Sequence, residues 1–346
     1  MTPAEHAVLS ACLEGAGSPA SPVKLDGDEF DQLLQWSSNE RLFGLLVAAL
    51  EDGAVVVGSD DDDHSDALER AGDSHRSALR NTLAAEATAI QAVRVLRSAG
   101  IEAFVFKGSA TAHLDYPDPA MRSFYDADLH VSRADFGAAI DALVAAGYRK
   151  SPTPMGARWE RRFARACEMR SSDGVELDLH AAVATGYFGT VLDHEWLRRS
   201  SCSVDLGGEL VSAFSLPART LISAYGVVLS RGPGLRLERD LAQQLAALGD
   251  RWPELIESAG YDGAAVIATA LDVVSASFGD EVRHVDLAAG LRACTPSPHA
   301  TRALRYAEKA TRAGWSADAR SSMMALGATD RFRFSAAVLA SKSRRF

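Results

Sequence analysis

Two short segments of the chain alternate charged and apolar residues in the same order. The first is DADLHV (126–131) and the second is VELDLH (175–180). Because the side chains of a β-strand alternate between its two faces, each segment predicts a strand with one apolar face. The opposite face of each strand carries acids followed by a histidine. The fold must therefore contain a sheet with two acidic strands.

Longer segments on both sides of these strands have the apolar periodicity of helices. Before the strands, helices are predicted at 3–14, 28–37, 40–52 and 65–98. After them, helices are predicted at 217–230, 236–248, 263–278, 299–313, 317–327 and 330–343. The four acids at 60–63 are expected to begin the helix that follows them, because acids favour the positive end of the helix dipole.

The part of the chain between these helical regions has a mixed pattern. Strands are predicted at 101–106, 126–131, 158–170 and 175–180, and a pair of strands broken by two glycines is predicted within 201–215. Short helices are predicted at 109–115 and 133–146. The sequence therefore predicts an α+β fold, in which helical N-terminal and C-terminal regions flank a small mixed β-sheet core. The expected domains are a helical region at 1–99, an α/β core at 100–216 and a helical domain at 217–346.

Charge and composition exclude several classes of protein. The net charge of −10 disfavours nucleic acid as a partner, because phosphate backbones bind basic surfaces. The four cysteines are widely spread, which disfavours structural zinc and a disulfide framework and suits a reducing cytoplasm. The N-terminus lacks the pattern of a signal peptide, and no window approaches 18 uncharged apolar residues. We therefore expect a cytoplasmic protein without a membrane partner.

A turn before the first acidic strand has features of an anion-binding site. Lys107, Gly108 and Ser109 follow a predicted apolar strand and open a predicted helix. Glycine allows the backbone to approach a ligand closely, and the free N–H groups at the start of a helix attract anions. The Ser109 hydroxyl and the Lys107 charge would add to this attraction. On its own, the turn is a weak indication of phosphate binding.

The acids on the two predicted strands suit a divalent cation. Asp126 and Asp128 point to the same side of one strand, about 6.6 Å apart at Cα. Asp178 can join them from the second strand. Magnesium prefers oxygen ligands and takes further ligands from substrate phosphates and water. Three carboxylates beside an anion-binding turn therefore indicate metal-assisted phosphoryl transfer.

The combined pattern FVFKGSA…YPDPAMRSFYDADLHV…VELDLHAAV resembles the uncharacterised nucleotidyltransferases of the DNA polymerase β superfamily. The resemblance covers roughly residues 100–245. It implies an enzyme that transfers a nucleoside monophosphate from an NTP, with ATP as the expected donor, and that depends on Mg²⁺ or Mn²⁺. The acceptor would be a hydroxyl group on a small molecule, a peptide or a protein.

The resemblance also implies roles for individual residues. Asp126 and Asp128 would hold the metals, and Asp178 would be the third carboxylate and the general base. Gly108 and Ser109 would contact the triphosphate.

Two further positions are predicted near the nucleotide. Arg122 precedes the first acidic strand, where it could hold an aspartate in place or clamp a phosphate. The segment SRGPGLRLERDLAQQL resembles the helix in which such proteins carry a cation and an aspartate facing the nucleotide. Arg236 and Asp240 would fill those positions, since residues four apart share a helix face. The alternative is an ordinary surface ion pair.

The histidines on the acidic strands leave other functions open. His130 and His180 could be metal ligands, and such a set would suit a transition-metal-dependent hydrolase using zinc or iron. The favoured interpretation is that they lie deeper and support the aspartates by hydrogen bonds. A third hypothesis is a degenerate NTP-binding module without catalytic activity.

Overall fold

The computed structural model describes residues 1–13, 21–152, 157–184, 186–192, 194–229, 234–279 and 285–313. The helices predicted at 317–327 and 330–343 lie outside these residues. The N-terminal elements are α1 (Pro3–Ser10), β1 (Val23–Leu25), α2 (Gly27–Glu40), α3 (Phe43–Glu51), β2 (Val55–Val57) and α4 (Asp61–Ser98). Strands β1 and β2 pair in parallel.

The middle of the chain contains most of the strands. Its elements up to the second acidic strand are β3 (Ala103–Val105), α5 (Gly108–Asp115), β4 (Asp126–Val131), α6 (Phe136–Ala145), β5 (Arg149–Lys150), α7 (Ala157–Phe163), β6 (Ala166–Arg170) and β7 (Glu176–His180). They are followed by α8 (Gly186–Val191), α9 (His194–Arg199), β8 (Ser201–Leu206) and β9 (Glu209–Phe214). The C-terminal helices are α10 (Leu216–Leu229), α11 (Leu235–Leu248), α12 (Trp252–Phe278), α13 (Val285–Arg292) and α14 (Pro298–Ala313).

The seven strands from β3 to β9 form one mixed sheet in the order β5-β6-β7-β4-β3-β9-β8. The β4–β7 and β3–β9 pairs are parallel, and the other neighbours are antiparallel. Helices flank this sheet on both sides in sequence, so the predicted α+β fold is confirmed. The division into domains at residues 99 and 216 stays a prediction.

Helix α4 begins as the acid cluster indicates. The Asp60 side chain accepts a hydrogen bond of 3.0 Å from the backbone N–H of Asp63, and the acids between them lie in the first turn. A stripe of small residues along the helix, including Ala85, Ala89 and Ala92, is fully buried. Small side chains on this stripe let the 38-residue helix lie close to the sheet.

The prediction of a strand at 158–170 is wrong over the first half of that range. The structure has helix α7 over Ala157–Phe163 and a strand only over Ala166–Arg170. The helix allows Glu160 to be buried and to accept a hydrogen bond of 2.5 Å from Lys150. Strand-like alternation of exposed and buried residues begins only after the helix.

Helix α12 contains a span that the sequence prediction did not anticipate. Its segment Ala259–Phe278 is long and apolar enough to cross a membrane, by length and composition only. In the structure this segment packs against α10. Its Asp262 accepts hydrogen bonds from the Tyr187 hydroxyl and the Ser297 N–H, at 2.8 and 2.7 Å. These contacts are those of a core helix.

Buried ion pairs connect the C-terminal helices to the sheet region. The Arg219 guanidinium on α10 donates to both oxygens of Asp115, with a shortest distance of 2.5 Å, and to the carbonyl of Phe214. Gln244 on α11 donates to the same carboxylate at 2.8 Å. Burial raises the pKa of Asp115 even though Arg219 and Gln244 favour its charged form. One carboxylate on α5 therefore fixes two C-terminal helices.

A second buried pair lies beside the first. Arg122 donates from Nη2 to Oδ2 of Asp240 at 2.7 Å and from Nε to Oδ1 at 3.2 Å. The Tyr116 hydroxyl also donates to Asp240, at 2.9 Å. The loop between α5 and β4 is thus bound to α11 through a single buried carboxylate.

We expect Asp115→Asn to lower the free energy of unfolding by about 3–5 kcal/mol, because the Arg219 guanidinium would stay charged and buried without a counter-charge. The measurement is equilibrium unfolding in urea. Asp31→Asn is the matched control, since Asp31 pairs with Arg70 where both side chains are about half exposed. Its cost should not exceed about 1 kcal/mol. Equal losses in the two variants would contradict the prediction.

Candidate functional site

The acidic strands lie side by side in the sheet. Strands β4 and β7 are parallel neighbours, and their register pairs Asp126 with Glu176, Asp128 with Asp178 and His130 with His180. Paired residues in adjacent strands point to the same face. The side chain of Asp128 is 6% exposed and that of Asp178 is 28% exposed.

One group of possible metal ligands results from this register. Ligand atoms of Asp128, Asp178 and His180 all lie within 4.8 Å of one another. Asp126 lies outside that group but lines the same cleft as Asp128. The structure therefore brings Asp128 and Asp178 together as predicted, and Asp126 lies two residues earlier, at the start of β4.

Asp128 is held by two nitrogen donors. Lys107 Nζ lies 2.5 Å from Asp128 Oδ1, and His180 Nε2 lies 2.8 Å from the same oxygen. The Lys107 and His180 nitrogens are 3.3 Å apart. Burial by itself disfavours a charged Asp128, but Lys107 and His180 outweigh it and lower the pKa of the carboxyl. Asp128 is therefore a carboxylate at neutral pH.

His180 is a neutral side chain with both ring nitrogens engaged. Burial, followed by the nearby Lys107 charge, lowers its pKa to about 3. A neutral ring carries one N–H, and the Nε2–H donates to Asp128 while Nδ1 accepts from Arg165 at 3.3 Å. The predicted support of an aspartate by a histidine is confirmed for His180.

Asp178 differs from Asp128 in its ionisation. Burial raises its pKa to about 6, and the neighbouring charge of Asp128 adds to the increase. The two paired carboxyls therefore have pKa values shifted in opposite directions, because Lys107 and His180 favour the charged form of Asp128, whereas burial and the Asp128 charge disfavour the charged form of Asp178.

These donors fit a hard divalent cation better than zinc or iron. Two carboxylates lie in register, and Asp126 carries a third on the same face of β4. Mg²⁺ and Mn²⁺ prefer such oxygen ligands. The imidazole of His180 is already engaged by Asp128 and Arg165.

His130 contributes neither a ligand nor a hydrogen bond to this group. Its side chain is 1% exposed, and neither ring nitrogen has a hydrogen-bond partner. The ring lies among Phe104, Phe106 and Phe214, and it stacks on His194 with centroids 5.6 Å apart. Burial lowers its pKa to about 3. The expected hydrogen bond from His130 to an aspartate is therefore wrong.

The lysine-glycine-serine turn lies where β3 leads into α5. Lys107 precedes the helix with a φ of +51°, and Gly108 is its first residue. A Cβ atom on Gly108 would lie 2.7 Å from Phe124 Cβ, so packing against Phe124 explains the glycine. Ser109 is 1% exposed, and its hydroxyl has no hydrogen-bond partner. Lys107, Gly108 and Thr111 line the cleft, and Ser109 does not.

The cleft has a volume of about 560 Å³ and lies between the sheet and helices α10 and α11. Its charged lining residues are Lys107, Arg122, Arg165, Arg219, Arg236, Asp126, Asp128 and Asp240. Five cations and three carboxylates line the cleft, but Asp115 neutralises Arg219 and Asp178 lies beside Asp128. The charges around the cleft therefore nearly balance, whereas the whole chain carries −10. An anion therefore meets less repulsion in this cleft than over the rest of the acidic chain.

The predicted pair on α11 lies at this cleft. Asp240 is 3% exposed and is bonded to Arg122, so a surface ion pair between Arg236 and Asp240 is excluded. Arg122 thus holds an aspartate in place, which is one of its two expected roles. Burial lowers the pKa of Arg236 to about 10, with Arg122 nearby, and its Nε has no hydrogen-bond partner. The Arg236 guanidinium is available to a ligand.

Sequence reasoning missed the apolar residues of the cleft and the partner of Arg165. Arg165 follows α7 and donates to His180, a contact that no local pattern indicates. Much of the remaining lining is apolar and comes from the segment after β7 and from α10 and α11. It comprises Val183, Ala184, Ile222, Tyr225, Leu229 and Leu237. The apolar periodicity of α10 indicated a buried face but not what that face contacts.

Comparison with known proteins adds a family. Residues 26–263 match the model of a family described as "Uncharacterised nucleotidyltransferase". One similar solved structure is that of an antigenic nucleotidyltransferase-like protein from Paracoccidioides brasiliensis, at 16% identity and a TM-score of 0.35. The match covers 63% of this chain and 94% of that one. No match was found among curated proteins.

We expect Gly108→Ala to lower the free energy of unfolding by about 1–3 kcal/mol, because the added methyl group would overlap Phe124. Thermal or urea unfolding measures the change. Gly27→Ala is the matched control, since Gly27 also opens a helix and its Cβ would meet nothing within 4 Å. An unchanged stability in Gly108→Ala would show that the turn is free to shift.

Proposed function

This chain belongs to a family of uncharacterised nucleotidyltransferases, and from that membership we propose that it transfers a nucleoside monophosphate from an NTP to an acceptor hydroxyl. The observation that carries the proposal is the register of β4 and β7. It sets Asp128 beside Asp178, and Asp128 lines a cleft that also contains cationic side chains. Carboxylates for a divalent cation and cations for a triphosphate are thereby combined in one place.

The carboxylates are proposed to hold Mg²⁺ or Mn²⁺. Asp128 and Asp178 would provide the closest ligands, with Asp126 joining from the outer end of β4. When bound, the divalent ion would polarise the reacting phosphate and neutralise its developing charge. His180 would keep Asp128 oriented through its Nε2–H.

The cations of the cleft are proposed to bind the triphosphate of an NTP, with ATP as the expected donor. Arg236 has an Nε without a hydrogen-bond partner, and guanidinium groups bind phosphates through paired hydrogen bonds. The start of α5 adds backbone N–H groups beside Lys107 and Gly108.

The transfer step follows from these positions. The acceptor oxygen forms a bond to the α-phosphorus, and the bond from that phosphorus to the β-phosphate oxygen breaks. Pyrophosphate leaves with the electron pair. A carboxylate oxygen of Asp178, which is the more exposed of the two paired acids, accepts the hydroxyl proton.

The two alternative functions have different expectations. A transition-metal-dependent hydrolase would use imidazole ligands, but His180 is engaged on both nitrogens and His130 lies among phenylalanine rings. A non-catalytic module would bind NTP without turnover. The acceptor class, the cytoplasmic location and the lack of nucleic-acid or membrane partners stay predictions.

The direct test is incubation with NTPs labelled at the α-phosphate, in the presence of Mg²⁺ or Mn²⁺ and mixtures of small molecules, peptides and proteins. Transfer of α-label, and not of γ-label, to an acceptor would support the proposal. Binding of NTP without transfer of either label would favour the non-catalytic module. Stoichiometric zinc or iron in the purified protein would favour the hydrolase.

We expect Asp178→Asn to reduce the rate of transfer by at least about 10²-fold, because the amide cannot accept the hydroxyl proton. Calorimetry should show that NTP binding is largely retained. Asp141→Asn is the control, since Asp141 is an exposed partner of Arg161 away from the cleft, and it should have wild-type rates. Wild-type turnover in Asp178→Asn would remove Asp178 from the mechanism.

We expect Arg236→Met to weaken NTP binding by about tenfold or more, because hydrogen bonds to charged groups contribute about 1.5–3 kcal/mol. The Kd for a non-hydrolysable NTP analogue measures this effect. Arg251→Met is the control, since Arg251 forms an exposed pair with Glu254. Unchanged affinity in Arg236→Met would place the triphosphate elsewhere.

A further inference from the structure

Lys107 has an unusual backbone conformation for a residue with a side chain. Within the described part of the chain, the non-glycine residues with a positive φ are Cys12, Arg41 and Lys107. Lys107 combines a φ of +51° with a ψ of −122°, a region that glycine adopts far more readily. The presence of a lysine at a position that suits glycine indicates a functional role for its side chain.

The side chain of Lys107 ends on the carboxylate proposed as a metal ligand. Its ammonium lies 2.5 Å from Asp128 Oδ1 and 4.9 Å from the centroid of the Phe106 ring. Asp128 is 6% exposed, whereas the Lys107 side chain is 34% exposed and lines the cleft. The ammonium is therefore the accessible member of the pair.

Lys107 and a divalent cation would compete for the same oxygen. Asp128 belongs to the group whose ligand atoms lie within 4.8 Å of one another, so an ion held by this group would lie close to the ammonium. Two cations at such a distance repel each other strongly in a partly buried site. The contact of Lys107 with Asp128 and a metal ion on the same oxygen therefore disfavour each other.

We propose that Lys107 is an internal counter-ion that occupies Asp128 until nucleotide arrives and thereby makes divalent-metal binding depend on the nucleotide. The proposal rests on the proposed function. A lysine suits this role because its ammonium is a compact charge on a flexible stem. The start of α5 adjoins Lys107, so a triphosphate bound there offers the ammonium a second anion. Asp128 is then free for the metal.

The test measures Mn²⁺ binding by electron paramagnetic resonance of the free ion, without any turnover. Wild type, Lys107→Met, Lys107→Gly and Asp128→Asn are titrated with Mn²⁺ alone and with the α,β-methylene analogue of ATP. Lys107→Gly removes the charge and also suits the positive φ, so it carries the test if Lys107→Met folds poorly. Thermal unfolding verifies that each variant is folded.

Lys150→Met is the matched control. Lys150 also lies 2.5 Å from a buried carboxylate, that of Glu160, and the exposures of the two pairs are similar. Lys150 is not among the residues that line the cleft. Its removal changes the net charge equally and should leave Mn²⁺ affinity as in wild type.

Without nucleotide, both Lys107 variants are expected to bind Mn²⁺ at least about tenfold more tightly than wild type, within the usual range of coupling between two sites. The ATP analogue should raise Mn²⁺ affinity strongly in wild type and much less in these variants. Unchanged or weaker Mn²⁺ binding in both Lys107 variants would overturn the inference.

The Asp128→Asn arm separates this inference from the proposed function. If wild type with the analogue binds Mn²⁺ and Asp128→Asn does not, the metal site stands whatever the Lys107 variants show. If Asp128→Asn binds Mn²⁺ as wild type does, the ion is not held in this cleft. That result would overturn both the counter-ion role and the proposed metal site.

Discussion

The pairing of β4 with β7 is the constraint on which the site depends. Both strands are short, and their parallel register puts Asp128 beside Asp178 and His180 within reach of Asp128. A slip of one residue would replace Asp178 with a leucine and turn the acids of one strand to the opposite face. The buried leucines Leu129 and Leu179 on the other face resist such a slip, because it would expose them to charge. The apolar face thus fixes the geometry of the polar one.

Local pattern was sufficient for the parts of the fold that depend on near neighbours. Alternation in DADLHV and VELDLH predicted two strands and the residues that share a face, and the acids at 60–63 predicted the start of α4. Local sequence pattern failed to predict structure where contacts between residues distant in sequence determine it. Tertiary packing decides whether α7 forms and which side chain Arg165 contacts. It also pairs Asp240 with Arg122, which is 118 residues away in sequence. No periodicity encodes them.

The arginines of the cleft differ in whether they are already paired with a carboxylate and so in how readily they can bind a ligand. Arg122 and Arg219 are neutralised by Asp240 and Asp115, and these pairs bind the C-terminal helices to the sheet region. Arg236 lies near Asp240 and Asp126, but its Nε has no hydrogen-bond partner. Residues of one type at one cleft therefore divide into those that hold the structure together and those that can hold an anion. Counting charges in the sequence cannot separate the two.

The contact of Phe124 with Gly108 has a consequence for how this architecture tolerates change. Phe124 lies two residues before β4 and packs on the first residue of α5, so one aromatic ring sets the spacing between the turn and the carboxylates. The chain between them reaches the surface at residues 117–119. Insertions at that exposed tip can lengthen the loop without altering the spacing. The Phe124 ring thus keeps the distance between the turn and the carboxylates constant. Relatives with a longer or shorter loop can therefore keep the same arrangement of site residues.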